Sequence, residues 1–141
     1  MIDSFHGKYR FLSNFWPAQV KYDGDTYFSV ECAYQAAKSE KTDLQYRAAL
    51  KDCLNSRIAK RLGKKAKIRI GWNDMKLGVM EDLVRQKFQH PTLREQLLAT
   101  GDEELVECNS WKDCYWGIYK GVGENHLGKI LMMVREEVRN V

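Results

Sequence analysis

The chain has 141 residues, a length that fits one domain and can bury a core without disulfide or metal support. Hydrophobic residues make up 44% and charged residues 30%, which is typical of a soluble globular protein and excludes a disordered chain. No run approaches the roughly eighteen apolar residues of a membrane span, and residues 1–6 do not resemble a secretory signal. We therefore expect a cytoplasmic protein.

The net charge of +4 is mild, but part of it is concentrated in one segment. Arg57 to Arg69 contains seven basic residues and no acidic one. A basic run near aromatic residues can follow the phosphates of a nucleic acid. A solvated helix face and loop would have the same composition, so both interpretations stay open.

The spacing of cysteine and histidine does not match a metal site. We expect free thiols that act as small apolar side chains in a reducing compartment, and neither a metal nor a cofactor. The four cysteines are Cys32, Cys53, Cys108 and Cys114.

The first predicted element is a β-hairpin within residues 18–28. Asp23-Gly24 lies between two β-prone runs, and a type I′ turn needs positive φ at both of its central positions. Ser29 then caps a helix through about Lys38. This helix has an inward apolar stripe with helical spacing, formed by Val30, Ala33, Tyr34 and Ala37.

Five more helices follow in the predicted order. Thr42 or Asp43 caps a helix to about Asp52, and Asn55 or Ser56 caps one that Gly63 ends as the C′ residue. The remaining three are predicted at residues 74–90 after an Asn73 cap, at residues 93–99, and at residues 125–140, with a short strand at 104–108. The fold class is α+β, predominantly α-helical, with a small antiparallel β-sheet near the N-terminus, in one domain of residues 1–141.

A polar row lies beside the stripe of the first helix. Glu31, Gln35 and Lys38 are spaced i, i+4 and i+7, so a helix presents all three on one side. An acid, an amide and an amine in one row can bind a polar ligand and move its protons. The spacing alone fits a solvated helix face better than a site.

Three loops and one tryptophan could also line a site. Ser13, Asn14 and Phe15 lie in an aromatic loop that can present an amide and a hydroxyl. Asp113, Trp116 and Gly117 combine an acid with a stacking ring. Gly123 and Asn125 precede the last helix, whose N-terminal N–H groups favour phosphate. Trp72 could form a pocket wall, although core packing fits it better.

In order along the chain, these segments resemble the NADAR family, also called YbiA-like. The motifs are F-L-S-N-F, S-x-E-x-x-Y-Q-x-x-K, a central W, K-F, L-L-x-T-G-D, D-x-Y-W-G, and G-x-N-x-L-G before the last helix. The resemblance runs from about Phe5 to Arg135. Cys32 departs from the family pattern, where histidine is frequent, and Ile118-Tyr119 replaces a more glycine-rich stretch.

The resemblance implies a YbiA-like fold and an N-glycosidase that hydrolyses a ribose C1′–N bond. Two substrate classes are implied: phosphorylated ribosylamine intermediates of riboflavin synthesis, and ADP-ribose on guanine in nucleic acid. It implies Glu31, Lys38 and Asp113 as catalytic residues and Trp116 as a binding residue. No membrane or obligate protein partner is implied.

Two chemical routes are open for these residues. Glu31 and Asp113 can divide the roles of activating water and protonating the leaving nitrogen. Alternatively, Lys38 can take C1′ as a Schiff base, provided that its pKa lies well below about 10.4. A non-catalytic module that binds ADP-ribose-like ligands is the competing interpretation.

Overall fold

The computed structural model describes residues 1–141, which form two compact units. The central unit is Asn14–Lys87, and the terminal unit combines Met1–Ser13 with Phe88–Val141. The predicted α+β class, mostly helical with a small antiparallel sheet, is confirmed. A single domain over residues 1–141 stays a prediction. None of the helices has the length and apolar composition that a membrane span requires.

The central unit contains a hairpin and four helices. Strands β1 (Val20–Tyr22) and β2 (Asp25–Tyr27) pair antiparallel. The helices are α1 (Val30–Ala37), α2 (Leu44–Asp52), α3 (Ser56–Gly63) and α4 (Trp72–Lys87). Helix α1 packs against α2, α3, α4 and the hairpin, so it is the centre of this unit.

The hairpin turn has the predicted geometry. Asp23 and Gly24 have φ of 48° and 84°, as a type I′ turn requires. The buried Arg47 holds this turn, with its guanidinium 3.1 Å from the Asp23 carboxylate and 2.7 Å from the Ser39 carbonyl. The turn is thereby fixed to the segment that follows α1.

The terminal unit is built around two helices. It has a 3₁₀ helix at Gly7–Leu12, α5 (Pro91–Leu98) and α6 (His126–Arg139). The predicted inward stripe of α6 is confirmed, since Leu127, Ile130, Leu131, Val134 and Val138 are all buried. The predicted strand at 104–108 is wrong: Leu105 and Cys108 make only isolated bridges, to Ile2 and Ile118.

Several predicted helix boundaries need correction. Asn73 does not cap α4, because the helix already includes Trp72, and α4 ends at Lys87 rather than near residue 90. Pro91 opens α5, where its missing N–H costs nothing. The predicted caps Ser29 and Asp43 are confirmed, and Asn55 caps α3.

Candidate functional site

The polar row of α1 is buried rather than solvated. Glu31 and Gln35 are only 8% and 4% exposed, and every residue of α1 is buried. Gln35 Nε2 donates to Glu31 Oε1 at 2.8 Å. A buried carboxylate needs such donors, because leaving it without them costs several kcal/mol, on the order of 3–5. The interpretation of this row as an ordinary wet face is therefore wrong.

A glycine on α3 explains how the row is enclosed. A Cβ at Gly63 would overlap the amide oxygen of Gln35, so only glycine lets the two helices approach so closely. Gly63 is the last residue of α3 and not the predicted C′ residue. Lys64 follows it as the C-cap, in the right-handed helical region. The role of Gly63 is close helix packing.

Hydroxyl groups tie the same elements together. Ser29 Oγ accepts from Cys32 N–H at 3.2 Å and lies 2.7 Å from Ser56 Oγ at the start of α3. Tyr46 on α2 donates its hydroxyl to the Gln35 carbonyl at 2.7 Å. Helix α1 is therefore bound to α3 through Ser29 and to α2 through Gln35.

We predict that Gly63→Ala lowers turnover while the protein still folds. The added methyl group must displace the Gln35 amide, and overpacking of this kind costs about 1–3 kcal/mol of folding stability. Loss of the Gln35–Glu31 hydrogen bond removes a donor from the Glu31 carboxylate, so the pH profile of kcat should shift. Thermal unfolding and a pH–rate profile measure the two effects.

Gly78→Ala is the matched control, because a Cβ at Gly78 meets no atom within 4 Å. It also lies in a helix, where alanine is favoured over glycine. An unchanged pH profile in Gly63→Ala would contradict the positioning role of Gly63.

Lys38 ends the row at the C-cap of α1. Its carbonyl accepts from Arg69 N–H at 2.8 Å, and its Nζ lies 5.7 Å from the centroid of the Tyr34 ring. The side chain is half-buried. Burial lowers the pKa of Lys38 from its ordinary value, the charge of Glu31 opposes this, and the charges of Lys60 and Lys76 add to it. More of this amine is neutral at a given pH than for an ordinary lysine.

Two aromatic side chains, Tyr34 of α1 and Trp72 of α4, pack against each other. The Trp72 ring lies 5.3 Å from the Tyr34 ring, tilted by 52°, and Trp72 is 6% exposed. Trp72 is thus mainly a packing residue that supports Tyr34, and its role in substrate binding stays a prediction.

The aromatic loop contributes to the same unit through Asn14 and Phe15. The Asn14 carbonyl accepts from Glu31 N–H at 3.1 Å, and its amide nitrogen lies 3.4 Å from Met80 Sδ. The Phe15 carbonyl accepts from Ser56 Oγ at 2.9 Å. These contacts place the loop beside the first turn of α1.

Asp113 in the terminal unit organises its own loop. One carboxylate oxygen accepts from the N–H groups of Tyr115 and Trp116 at 3.0 and 2.9 Å. Asn109 exchanges bonds with the Asp113 backbone at 2.9 and 3.0 Å. Asp113 therefore has a clear structural role, and its catalytic role stays a prediction.

The turn before α6 is already hydrogen-bonded within the protein. The N–H groups of residues 124–127 donate to carbonyls of residues 114–117, at 2.8 to 3.3 Å. The Asn125 side chain bonds Glu107 N–H and the Leu105 carbonyl, and a Cβ at Gly123 would overlap the Gly117 carbonyl. Because these N–H groups already have acceptors, fewer of them are available to a phosphate than the glycines before α6 predict. Substrate binding by Gly117, Gly123 and Asn125 stays a prediction.

The predicted residues divide between the two units. The central unit contains Asn14, Phe15, Glu31, Gln35, Lys38 and Trp72. The terminal unit contains Ser13, Asp113, Trp116, Gly117, Gly123 and Asn125. The structure brings Glu31, Gln35 and Lys38 together on α1; joint action with Asp113 stays a prediction.

Sequence patterns did not single out three side chains of the central unit and one of the terminal unit. Tyr46, Lys60 and Lys76 act on Gln35 and Lys38 from three different helices. His126, at the start of α6, lies 4.4 Å from the Tyr115 ring and 3.2 Å from a Glu124 carboxylate oxygen. Lys76 follows Trp72 by one helical turn, and this spacing is the sequence pattern that could have indicated Lys76.

A second amine is buried elsewhere in the central unit. Lys87, the last residue of α4, is 1% exposed and continues the buried stripe of Met80, Leu83 and Val84. Burial lowers the pKa of Lys87 to about 7. Any experiment that detects a reactive lysine must therefore distinguish Lys38 from Lys87.

Comparisons with known proteins place the chain in a family. The model of the NADAR domain matches residues 3–139. The N-glycosidase YbiA of Escherichia coli (strain K12) is 38% identical over 133 residues, covering 90% of this chain and 80% of that protein. An N-glycosidase of Nostoc punctiforme is 38% identical over 138 residues, covering 94% of this chain and 88% of that protein.

Two further similarities concern a longer protein and a solved structure. A riboflavin biosynthesis protein of Vibrio vulnificus is 42% identical over 141 residues; the match covers 97% of this chain but only 37% of that protein. The NMR structure of the E. coli protein YbiA matches with a TM-score of 0.83 at 35% identity, covering 99% of this chain and 88% of that chain. The chain therefore belongs to the NADAR domain family.

Proposed function

We propose that this protein is an N-glycosidase that hydrolyses a ribose C1′–N bond beside α1. The observation that carries the proposal is a half-buried amine of lowered pKa, Lys38, on the same helix as a buried, hydrogen-bonded carboxylate, Glu31. Such a pair can attack a carbon and move protons in one site. The names of the YbiA and Nostoc relatives support the reaction class.

The first step opens the ribosylamine. Glu31 in its protonated form gives a proton to the ring oxygen, the C1′–O bond breaks, and the lone pair of the exocyclic nitrogen forms a C1′=N bond. The neutral amine of Lys38 then attacks C1′ and forms a C1′–N bond. A lysine that stayed protonated would have no electron pair for this bond, which is why the lowered pKa matters.

The second step releases the base. One proton moves from the Lys38 nitrogen to the base nitrogen, the C1′–base bond breaks, and a C1′=N imine to Lys38 remains. Water then adds to C1′, the Lys38–C1′ bond breaks, and the free sugar and free amine return. The net reaction of the two steps is hydrolysis of one C–N bond by one water molecule. Glu31 transfers protons between the steps.

Other side chains position the ribose. We assign hydrogen bonding of a ribose hydroxyl to Gln35, whose amide oxygen is buried against Gly63 without a hydrogen-bond partner in the protein. The Tyr34 ring provides an apolar surface beside Lys38. Base stacking by Trp116 and support of the leaving group by Asp113 stay predictions for the terminal unit.

Two substrates fit this chemistry, because in both the ribose C1′ is attached to an exocyclic amine. A phosphorylated ribosylaminopyrimidine of riboflavin synthesis is the first, and the name of the Vibrio relative favours it. ADP-ribose on guanine in nucleic acid is the second. It is favoured by the exposed basic residues of the 57–69 segment, which are Arg57, Arg61, Lys64, Lys65 and Lys67.

Assaying one purified sample against both substrates tests the proposal. We expect release of free base from at least one of them, detected by chromatography. Turnover that falls steeply with salt would identify nucleic acid as the substrate, because each phosphate contact releases a counterion. Binding without any base release over hours would refute hydrolysis.

The free thiols further favour a cytoplasmic location for the protein.

We predict that kcat rises with pH through an inflection that lies below the ordinary lysine pKa of about 10.4. The sign follows from the lowered pKa of Lys38, because its neutral form becomes populated earlier as pH rises. In Lys60→Met the inflection should move up, since a positive charge that lowers the pKa of Lys38 is removed. A profile that is flat from pH 6 to 10 would argue against the amine route.

A further inference from the structure

The Lys38 amine is directed mainly by the backbone that carries it. Lys38 is the C-cap of α1, where the last carbonyl groups of a helix have no partners within it. The side chain is half-buried, and its ammonium lies 5.7 Å from the centroid of the Tyr34 ring. A cation–π contact at this distance holds an amine only loosely. The turn that follows α1 therefore decides where the amine is held.

Arg47 of α2 binds the residue next to Lys38. Its Nη2 donates to the Ser39 carbonyl at 2.7 Å, and its Nε donates to Ser39 Oγ at 3.3 Å. Ser39 Oγ in turn donates to the Ala36 carbonyl at 3.2 Å, which ties the turn back onto α1. Arg47 and Ser39 are 5% and 0% exposed. Because a guanidinium is planar and rigid, these two bonds fix both the position and the orientation of Ser39.

The same guanidinium is anchored in the hairpin. Its Nη1 lies 3.1 Å from the Asp23 carboxylate, and its central carbon lies 5.4 Å from the centroid of the Tyr22 ring. The hairpin is itself bound to α4, since Lys21 and Gln86 exchange two hydrogen bonds of 2.7 and 2.8 Å. Arg47 therefore connects a fixed hairpin to the turn after α1.

A second arginine holds the carbonyl of Lys38 itself. The Arg69 N–H donates to the Lys38 carbonyl at 2.8 Å, and Arg69 Nη1 lies 3.5 Å from the Tyr22 hydroxyl. Tyr22 thus contacts both arginines, one at its ring and one at its hydroxyl. The carbonyl groups of Lys38 and Ser39 are therefore held at the same time, from the segment before α4 and from α2.

We propose that Arg47 is a positioning residue for the reaction, which holds the turn of Lys38 and Ser39 so that the Lys38 amine faces C1′ of the ribose. The inference rests on the proposed function, which supplies the ribose. Arg47 is buried and directs its donors to Asp23 and Ser39, so it acts through Lys38 and not on the substrate. A reacting group displaced by about 1 Å can lose on the order of 10²-fold in rate.

Arg47→Lys tests this role because it keeps the positive charge and removes the planar set of donors. A single nitrogen cannot serve both Ser39 and Asp23 in the same geometry. We expect kcat for base release to fall roughly 10²-fold, while KM stays near that of wild type because the substrate contacts are unchanged. Arg94→Lys makes the same exchange at a half-buried position of α5 and should keep both values.

Reductive labelling with two aldehydes separates the direction of the amine from its reactivity. Formaldehyde with cyanoborohydride can approach Lys38 from any open side, so its labelling rate reports the protonation and access of the amine. Ribose reacts through the aldehyde at C1 of its open chain and needs an amine directed at the sugar. In wild type, ribose should label Lys38 faster than the exposed Lys41, as measured by peptide mapping. In Arg47→Lys this preference should disappear, and formaldehyde labelling of Lys38 should stay at the wild-type rate.

Three results would overturn the positioning role. The first is wild-type kcat or wild-type ribose labelling in folded Arg47→Lys. The second is an equal loss of both labels, because the substitution would then have changed the protonation or access of Lys38. The third is a raised KM at unchanged kcat, which would indicate substrate binding. Ribose labelling of wild-type Lys38 no faster than that of Lys41 would also overturn it.

Asp23→Gly gives the same test if circular dichroism finds Arg47→Lys unfolded. It removes the carboxylate that anchors Arg47, at a turn position with φ of 48° that glycine adopts readily. It should lower kcat and ribose labelling by a smaller factor and leave formaldehyde labelling unchanged. Wild-type kcat in Asp23→Gly would then overturn the role of Arg47.

The labelling assay and the base-release assay fail independently. Ribose labelling of Lys38 that depends on Arg47, in a protein that releases no base, would refute the proposed N-glycosidase and support the positioning role. Base release that persists unchanged in Arg47→Lys would do the reverse.

Discussion

Replacing Lys38 by alanine should lower kcat for base release by roughly 10³-fold or more, as removal of a catalytic nucleophile does in other enzymes. The variant has no amine to take C1′, while Glu31 and Gln35 keep their mutual hydrogen bond. Lys38→Arg should be equally impaired, because a guanidinium stays protonated and has no electron pair to donate. Stopped assays of free base by chromatography measure the loss.

The control for this experiment is Lys41→Ala, which removes an exposed lysine three residues away. It should retain wild-type kcat. Circular dichroism and thermal unfolding should find both Lys38 variants folded, since the side chain is only half-buried. Near-wild-type turnover of folded Lys38→Ala would exclude the amine route.

Glu31→Gln is expected to lower kcat by roughly 10²- to 10⁴-fold, the usual range for loss of a general acid or base. The substitution preserves shape, and the new amide oxygen can still accept from Gln35 Nε2. It also removes the charge that raises the pKa of Lys38, so more of the amine becomes neutral. Because ring opening takes its proton from Glu31, imine formation should slow in this variant together with base release.

Together, the Lys38→Ala and Glu31→Gln variants distinguish the two chemical routes. If Glu31 instead activated water directly, Glu31→Gln would lose activity and Lys38→Ala would keep it. Glu95→Gln changes an exposed acid on α5 and should behave like wild type in both assays. Wild-type kcat in folded Glu31→Gln would remove Glu31 from the mechanism.

The parts of the fold that follow from neighbouring residues were predictable. Asp23-Gly24 specified the hairpin turn, and the Ser29 and Asp43 caps marked the starts of two helices. The apolar stripe of α6 also placed its buried face correctly. These features depend on local backbone preferences and on helical periodicity, which a sequence displays directly.

The enclosure of the site was not predictable in this way. Glu31 and Gln35 are buried because Gly63, about thirty residues later, allows α3 to approach α1 closely. Helical spacing alone favoured a solvated row, and the family resemblance was what pointed to function. The charges of Lys60 and Lys76 likewise act on Lys38 only because α1 packs against α3 and α4.

A capping pattern in the sequence can mislead when tertiary contacts extend a helix beyond it. Asn73 has the chemistry of an N-cap, yet α4 begins at Trp72, after Gly71 with φ of 82°. The packing of Trp72 on Tyr34 accompanies this earlier start. Trp72 and Lys76 therefore belong to the same helix.

Borohydride trapping during turnover tests the central claim most directly, because it reduces an imine to a stable secondary amine. With a ribosylaminopyrimidine phosphate as substrate, intact mass should increase by one reduced sugar phosphate, and peptide mapping should place it on Lys38. The buried amine of Lys87, with a pKa of about 7, is the internal comparison and should stay unmodified. Continued base release with no adduct, or an adduct on Lys87 alone, would contradict the account.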